Sequence, residues 1–122
     1  MTAFPPLVLL VDDAFLIRDI YFELLVQNGI RVRTVDQGDE VLAAALKYKP
    51  NVIVMDYTMP GLNGIEATRQ LKADRRTREI PVVLFTGAPV AEEARQAGCD
   101  AIVGKPCRGD LLVAVIREQL EP

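Results

Sequence analysis

Val52-Ile53-Val54-Met55-Asp56-Tyr57-Thr58-Met59-Pro60-Gly61-Leu62-Asn63-Gly64 carries the signals that set the architecture. The opening run VIVM is apolar at odd and even positions alike, which suits a strand buried on both faces, as in a parallel sheet. A carboxylate, Asp56, closes the run. Pro60, Gly61 and Gly64 then break the chain, and helical periodicity begins at Gly64 and continues to Ala73. Runs of the same kind recur at Leu7–Val11 (LVLLV), Val32–Val35, Val82–Phe85 (VVLF) and Ala101–Val103. Between them lie segments of helical period at Phe15–Asn28, Glu40–Tyr48, Val90–Ala97 and Gly109–Leu120. Asn28-Gly29, Lys49-Pro50-Asn51 and Ile80-Pro81 mark the joins, and Pro5-Pro6 makes an extended lead-in. Strict alternation of strand and helix predicts an α/β fold: a five-stranded parallel sheet, doubly wound, with helices on both faces.

The remaining composition bounds the function. A chain of 122 residues is one domain, here with its core between about residues 6 and 120. Half of the residues are apolar and a quarter charged, the balance of a globular protein. The net charge is −3, and the only cluster of basic residues is Arg75, Arg76 and Arg78, so no nucleic-acid partner is expected. No apolar run approaches the roughly 20 residues that span a bilayer, and no leader pattern is seen, so the expectation is a cytoplasmic protein without membrane attachment. Cys99 and Cys107 flank the strand AIVG and should lie too far apart for a disulfide.

In an open parallel sheet, ligands bind beyond the carboxyl ends of the strands. The residues just past those ends are Asp12 and Asp13, then Asp56, then Thr86, and finally Lys105-Pro106. Singly each has a plainer reading, such as a helix cap, a turn residue or a solvated charge. Their shared edge is what those readings leave unexplained. Three converging carboxylates repel one another unless a cation is present, and oxygen-only ligands in a chain with no histidine point to Mg²⁺. With a short hydroxyl and a mobile ammonium added, the set describes a phosphoryl site in which one carboxylate is the nucleophile. Strands lie about 4.8 Å apart, which puts Asp56 between the acidic pair and Thr86, with Lys105 in reach. Asp56 is therefore the expected nucleophile.

At this level the chain resembles the receiver domain of two-component response regulators, of the chemotaxis-regulator type. The resemblance rests on VDD (Val11–Asp13), DYTMPGLNG (Asp56–Gly64), IPVVLFTG (Ile80–Gly87) and AGCDAIVGKP (Ala97–Pro106). It implies strand order 2-1-3-4-5 and a phosphorelay switch in which Asp56 takes a phosphoryl group from a phosphohistidine. It further implies that Asp12, Asp13, Asp56 and the Thr58 carbonyl hold Mg²⁺, that Thr86 and Lys105 bind phosphoryl oxygens, and that Lys105-Pro106 is cis. The loop from Met59 to Gly64 would then have to turn sharply beside the phosphoryl group. The chain would modify and demodify only itself, and its partners would be a histidine kinase or histidine phosphotransfer protein and a downstream protein.

Other readings meet specific obstacles. A haloacid-dehalogenase-type phosphohydrolase wants a second Asp two positions beyond a first-strand nucleophile, whereas Asp12 is followed by Asp13 and Ala14. A flavodoxin-like cofactor binder wants a phosphate-cradling loop where VDDAF stands. A receiver-shaped scaffold with phosphorylation-independent output is the nearer alternative. The chain departs from the family in two places: Ile102 stands where an aromatic switch residue is common, and the stretch from Thr86 to Lys105 is shortened, with Pro89 inside it. The readout is accordingly expected to run through loop order after Thr86. On the first helix, Leu16, Ile17, Ile20, Tyr21 and Leu24 form the expected inward stripe. Phe15, Phe22 and Val26 form a second, outward stripe, expected to dock the phosphodonor or, as second choice, another copy of the chain.

Overall fold

The computed structural model describes residues 5–121; residues 1–4 and 122 of the expected domain lie outside it. The strands are β1 (Leu7–Val11), β2 (Arg31–Val35), β3 (Val52–Met55), β4 (Val82–Thr86) and β5 (Ala101–Gly104), and the helices are α1 (Phe15–Gln27), α2 (Val41–Tyr48), α3 (Gly64–Ala73), α4 (Ala91–Ala97) and α5 (Gly109–Leu120). All strands run parallel in the order β2-β1-β3-β4-β5, as expected. A turn of 3-10 helix at Gly38–Glu40 leads into α2, so α2 begins one residue later than its periodicity suggests.

The two faces of each central strand enter different layers because successive side chains point to opposite sides of a sheet. Val8 and Leu10 of β1 pack with Val54, Val83 and Phe85 against α1 and α5. Leu9 and Val11 pack with Ile53 and Met55 against α2 and α3. A third cluster joins Leu84 of β4 to Ile65 of α3 and to Val90, Ala94 and Ala97 around α4. Strands β1, β3 and β4 are buried throughout, but β2 at the sheet end exposes Arg31, Arg33 and Thr34. Only the central strands therefore have the two covered faces that the alternation implied.

The roll of α1 differs from the expectation. Leu16 is 74% exposed, Ile20 64% and Ile17 38%, whereas Leu25 is fully buried. Tyr21, Phe22 and Leu24 pack partly buried against the same cluster as Leu25. Phe22 therefore belongs to the inner side of α1, while Phe15 and Val26 remain exposed as expected. The reason is visible in two contacts. The Tyr21 ring meets Phe85 edge-on at 4.9 Å, and its hydroxyl donates to the Cys107 carbonyl at 3.5 Å. An amphipathic ring with its polar tip satisfied sets the rotation of the helix more firmly than aliphatic residues distributed all around it. Gly109 assists: a Cβ there would lie 2.6 Å from Leu24 Cδ2, so glycine lets α5 approach α1.

These positions separate by stability. Leu25→Ala should cost about 2–5 kcal/mol in urea unfolding, while Ile20→Ala should stay within about 0.5 kcal/mol. The reverse order would restore the roll read from the sequence.

Candidate functional site

Chain breaks at the carboxyl ends of β1, β3, β4 and β5 deliver the polar residues to one edge. Asp12 is buried, Asp13 exposed and Asp56 half-buried, and one carboxylate oxygen from each lies within 4.8 Å of the others. Lys105 reaches back from the end of β5. Its Nζ donates to Asp12 Oδ2 at 2.8 Å, lies 3.5 Å from Asp56 Oδ2, and sits 4.9 Å from the centre of the Phe85 ring. The stem of Lys105 is thus laid along the sheet end while its ammonium neutralises part of the acid cluster. The Lys105-Pro106 peptide is cis, as the resemblance implied.

Each acid is also held by main chain. Asp12 Oδ1 accepts from the Ala14 N–H at 2.9 Å and Asp56 Oδ1 from the Tyr57 N–H at 2.7 Å. Asp12 is therefore the turn residue that opens α1 and a member of the cluster at once. Thr86 is buried at the end of β4, in register with Gly104, and its carbonyl accepts from the Lys105 N–H at 3.0 Å. Its Oγ1 accepts from the Ala88 N–H at 3.0 Å, which leaves the hydroxyl proton free to donate elsewhere.

The loop after β3 is closely constrained. The Gly64 N–H donates to the Tyr57 carbonyl at 2.7 Å, and a Cβ at Gly64 would lie 2.3 Å from the Asp56 carbonyl oxygen. Gly61 adopts φ +77°, a conformation that L side chains rarely take. Asn63 caps α3 by accepting from the Glu66 N–H at 2.9 Å, and Glu66 answers by accepting from the Asn63 N–H at 3.2 Å. Thr58 is exposed two residues beyond Asp56.

One member of this neighbourhood was not anticipated. The Tyr57 ring packs, partly buried, in the same cluster as Ala88 and Ile102, beside α4. The aromatic residue missing from position 102 is thus matched by an aromatic residue next to Asp56. Its signal in the sequence was only adjacency to Asp56, and its place beside the same cluster as Ile102 depends on strand order.

The oxygens suit a small hard cation. Ligands on opposite sides of Mg²⁺ at 2.0–2.1 Å are about 4 Å apart, close to the spread of the three carboxylates. All donors here are oxygen, and the chain contains no histidine. Among the described residues no helix is long and apolar enough to cross a membrane.

A doubly wound sheet with this edge defines a class of phosphoryl-handling switches, and known proteins specify it further. The family model of the response regulator receiver domain matches residues 8–117, and the chain belongs to that family, the phosphoacceptor switches of two-component signalling. It is 31% identical over 119 residues to the polar-differentiation response regulator DivK of Brucella anthropi, covering 95% of this chain and 97% of the relative. Among solved structures it is similar to a chemotaxis response regulator of Vibrio cholerae, with TM-score 0.88, 28% identity and coverage of 95% and 99%. It is likewise similar to the receiver domain of a sensor histidine kinase of Pseudomonas aeruginosa PAO1, which carries a magnesium ion in its active-site cleft. There the TM-score is 0.89, the identity 26% and the coverage 95% and 98%. These findings do not favour the phosphohydrolase or the phosphorylation-independent scaffold.

The electrostatics of Asp56 can be tested directly. Burial pushes its carboxyl above the ordinary 3.8, Lys105 opposes that, and Asp12 adds repulsion. A raised folded-state pKa means that the native protein holds this proton more tightly than the unfolded chain does. Stability is thus lost as pH rises from 3.8 through the folded value. In magnesium-free buffer, Asp56→Asn should unfold at higher urea than wild type at pH 7, with the difference closing below pH 3.8. A less stable Asp56→Asn at pH 7 would show that the Lys105 contact outweighs desolvation.

Proposed function

We propose that Asp56 is the phosphoacceptor and that the chain relays a phosphoryl group from a protein phosphohistidine to a change in protein binding. The observation that carries this reading is the convergence of Asp12, Asp13, Asp56 and Lys105 within one cluster at the carboxyl edge of the sheet. A carboxylate oxygen of Asp56 attacks phosphorus in line; the P–O bond forms as the P–N bond breaks, and the imidazole leaves with the electron pair. Lys105, already between Asp12 and Asp56, meets charge on the phosphoryl oxygens, and the free hydroxyl proton of Thr86 donates to another. Asp12, Asp13 and Asp56, with the Thr58 main-chain carbonyl, would hold Mg²⁺. When bound, that ion supplies further charge neutralisation at the phosphoryl group. Attack by water on the phosphorus of the acyl phosphate breaks its P–O bond to Asp56, releasing inorganic phosphate and returning the carboxylate, so chemistry is confined to the chain itself.

The donor is a histidine kinase or phosphotransfer protein, and it docks on the exposed side of α1. With the corrected roll, that side carries Phe15, Leu16, Ile20 and Val26, while Phe22 supports it from beneath. A second copy of the chain is the other candidate for the same face. Readout to a downstream partner runs through the loop after Thr86, whose Oγ1 holds the Ala88 amide, and Ala88, Tyr57 and Ile102 all pack against the buried cluster around α4. The reaction takes place in the cytoplasm.

Incubation with acetyl phosphate should add one phosphoryl group by intact mass, only with Mg²⁺ and not in Asp56→Asn. No gain in a folded protein that binds Mg²⁺ would return the scaffold reading. Leu16→Glu should slow transfer from the cognate phosphohistidine protein at least about tenfold while leaving acetyl phosphate labelling unchanged. Loss of both would indicate misfolding rather than docking.

A further inference from the structure

The opposite end of the sheet carries a second surface, adjoining the α1 face at Val26. A groove of about 660 Å³ runs over the open edge of β2, bounded by Leu7 at the start of β1 and by Gly29 ahead of β2. It lies at the amino ends of the strands, away from the acid cluster. Its two walls differ. On the α1 side it is apolar, formed by Phe22, Val26 and Val32. On the α2 side Arg33 and Lys47 stand 5.1 and 5.3 Å from the centre of the Tyr48 ring, with Arg31 beside them on the strand.

Three cations gather at this groove in a chain of net charge −3. Among the described residues, none of Arg31, Arg33 and Lys47 has a carboxylate within 4.0 Å, whereas Lys72, Arg76, Arg95, Lys105 and Arg108 all do. All three are exposed. The strand between the walls is also incomplete as a hydrogen-bonding unit. The Arg31 N–H donates to the Pro6 carbonyl at 2.9 Å and the Val35 carbonyl accepts from the Asp12 N–H at 3.1 Å, so the odd residues of β2 face β1. By alternation, the N–H and C=O groups of Val32 and Thr34 turn outward from the sheet, and among the described residues β2 has no neighbouring strand there.

We propose that this edge binds an extended segment of a partner protein that adds a strand beside β2 and alternates apolar and acidic residues. Main-chain bonds to Val32 and Thr34 supply the pairing, as in other cases where a strand is added to a sheet. Because side chains on the added strand also alternate, one set meets Phe22, Val26 and Val32 and the other meets Arg31, Arg33 and Lys47. The same charges argue against a second copy: edge-to-edge pairing of two β2 strands would bring Arg31 and Arg33 of each chain together, and like charges across strands repel. An acidic partner reverses that interaction, and its attraction weakens with salt.

The test uses the full chain and short, capped, fluorescein-labelled peptides that alternate Val with Glu or Val with Lys. Fluorescence anisotropy should show salt-sensitive binding of the Val–Glu peptide, with amide shifts at Val32 and Thr34. R31E/R33E should weaken it at least about tenfold and gain affinity for the Val–Lys peptide. Should that double variant lose its edge strand by circular dichroism, Lys47→Glu makes the same reversal from α2 and should weaken binding too. Asp56→Asn should bind as wild type does, which separates this surface from phosphoryl transfer. Equal affinity for both peptides, no binding by wild type, or a wild-type dimer in sedimentation that R31E/R33E disperses would each overturn the proposal.

Discussion

Mutual repulsion among Asp12, Asp13 and Asp56 is the constraint on which the rest of this structure depends. Three carboxylates with oxygens within 4.8 Å of one another repel, and positive charge beside them offsets that repulsion. Lys105 supplies some of it, and much of the local architecture serves to deliver that ammonium. It must come from β5, two strands from β3, so its stem crosses the end of β4 over Phe85. Phe85 is itself 1% exposed and carries Tyr21 on its edge, which in turn sets the roll of α1. The electrostatic site and the rotation of the first helix therefore share one aromatic residue.

That linkage explains what could and could not be read from the chain. Strand positions were recoverable because VIVM and LVLLV are apolar at every position, and only a strand covered on both faces demands that. Asp12, Asp56, Thr86 and Lys105 were recoverable because each follows such a run, so sheet geometry alone brings them to one edge. The roll of α1 was not, because FLIRDIYFELLV is apolar on most of its circumference and offers two stripes of similar strength. The choice between them is made by Tyr21 through contacts with Phe85 and the Cys107 carbonyl, both far along the sequence. The nature of β2 was half-visible: its arginines were in plain view, but their significance depends on β2 being at the sheet end.

The contrast between the two ends of the sheet follows from parallel architecture. At the carboxyl ends, loops turn inward and their polar groups are held by main chain, as in the Asp12–Ala14, Asp56–Tyr57 and Thr86–Ala88 contacts. At the amino ends of β1 and β2, arginine and lysine stand exposed around apolar surface. Negative and positive groups are thus separated along the strand direction.

Coupling from the acid cluster outward needs an element with room to move, and the packing indicates where. Strands β1, β3 and β4 are fully buried and well paired, so displacement there would break the core. The segment from Gly87 to Val90 is held mainly by the Ala88 N–H on Thr86 Oγ1 and by a turn bond from the Val90 N–H to the Ala88 carbonyl. The α4 helix that follows has seven residues, too short to be stable without the cluster of Ile65, Leu84 and Ala94 beneath it. Tyr57 and Ile102 border that cluster. The Thr86 hydroxyl oxygen holds the Ala88 amide, while the Tyr57 amide is tied directly to the Asp56 carboxylate. Two links thus lead from this edge of the sheet to the same small apolar cluster, one from Thr86 through Ala88 and one from Asp56 through Tyr57.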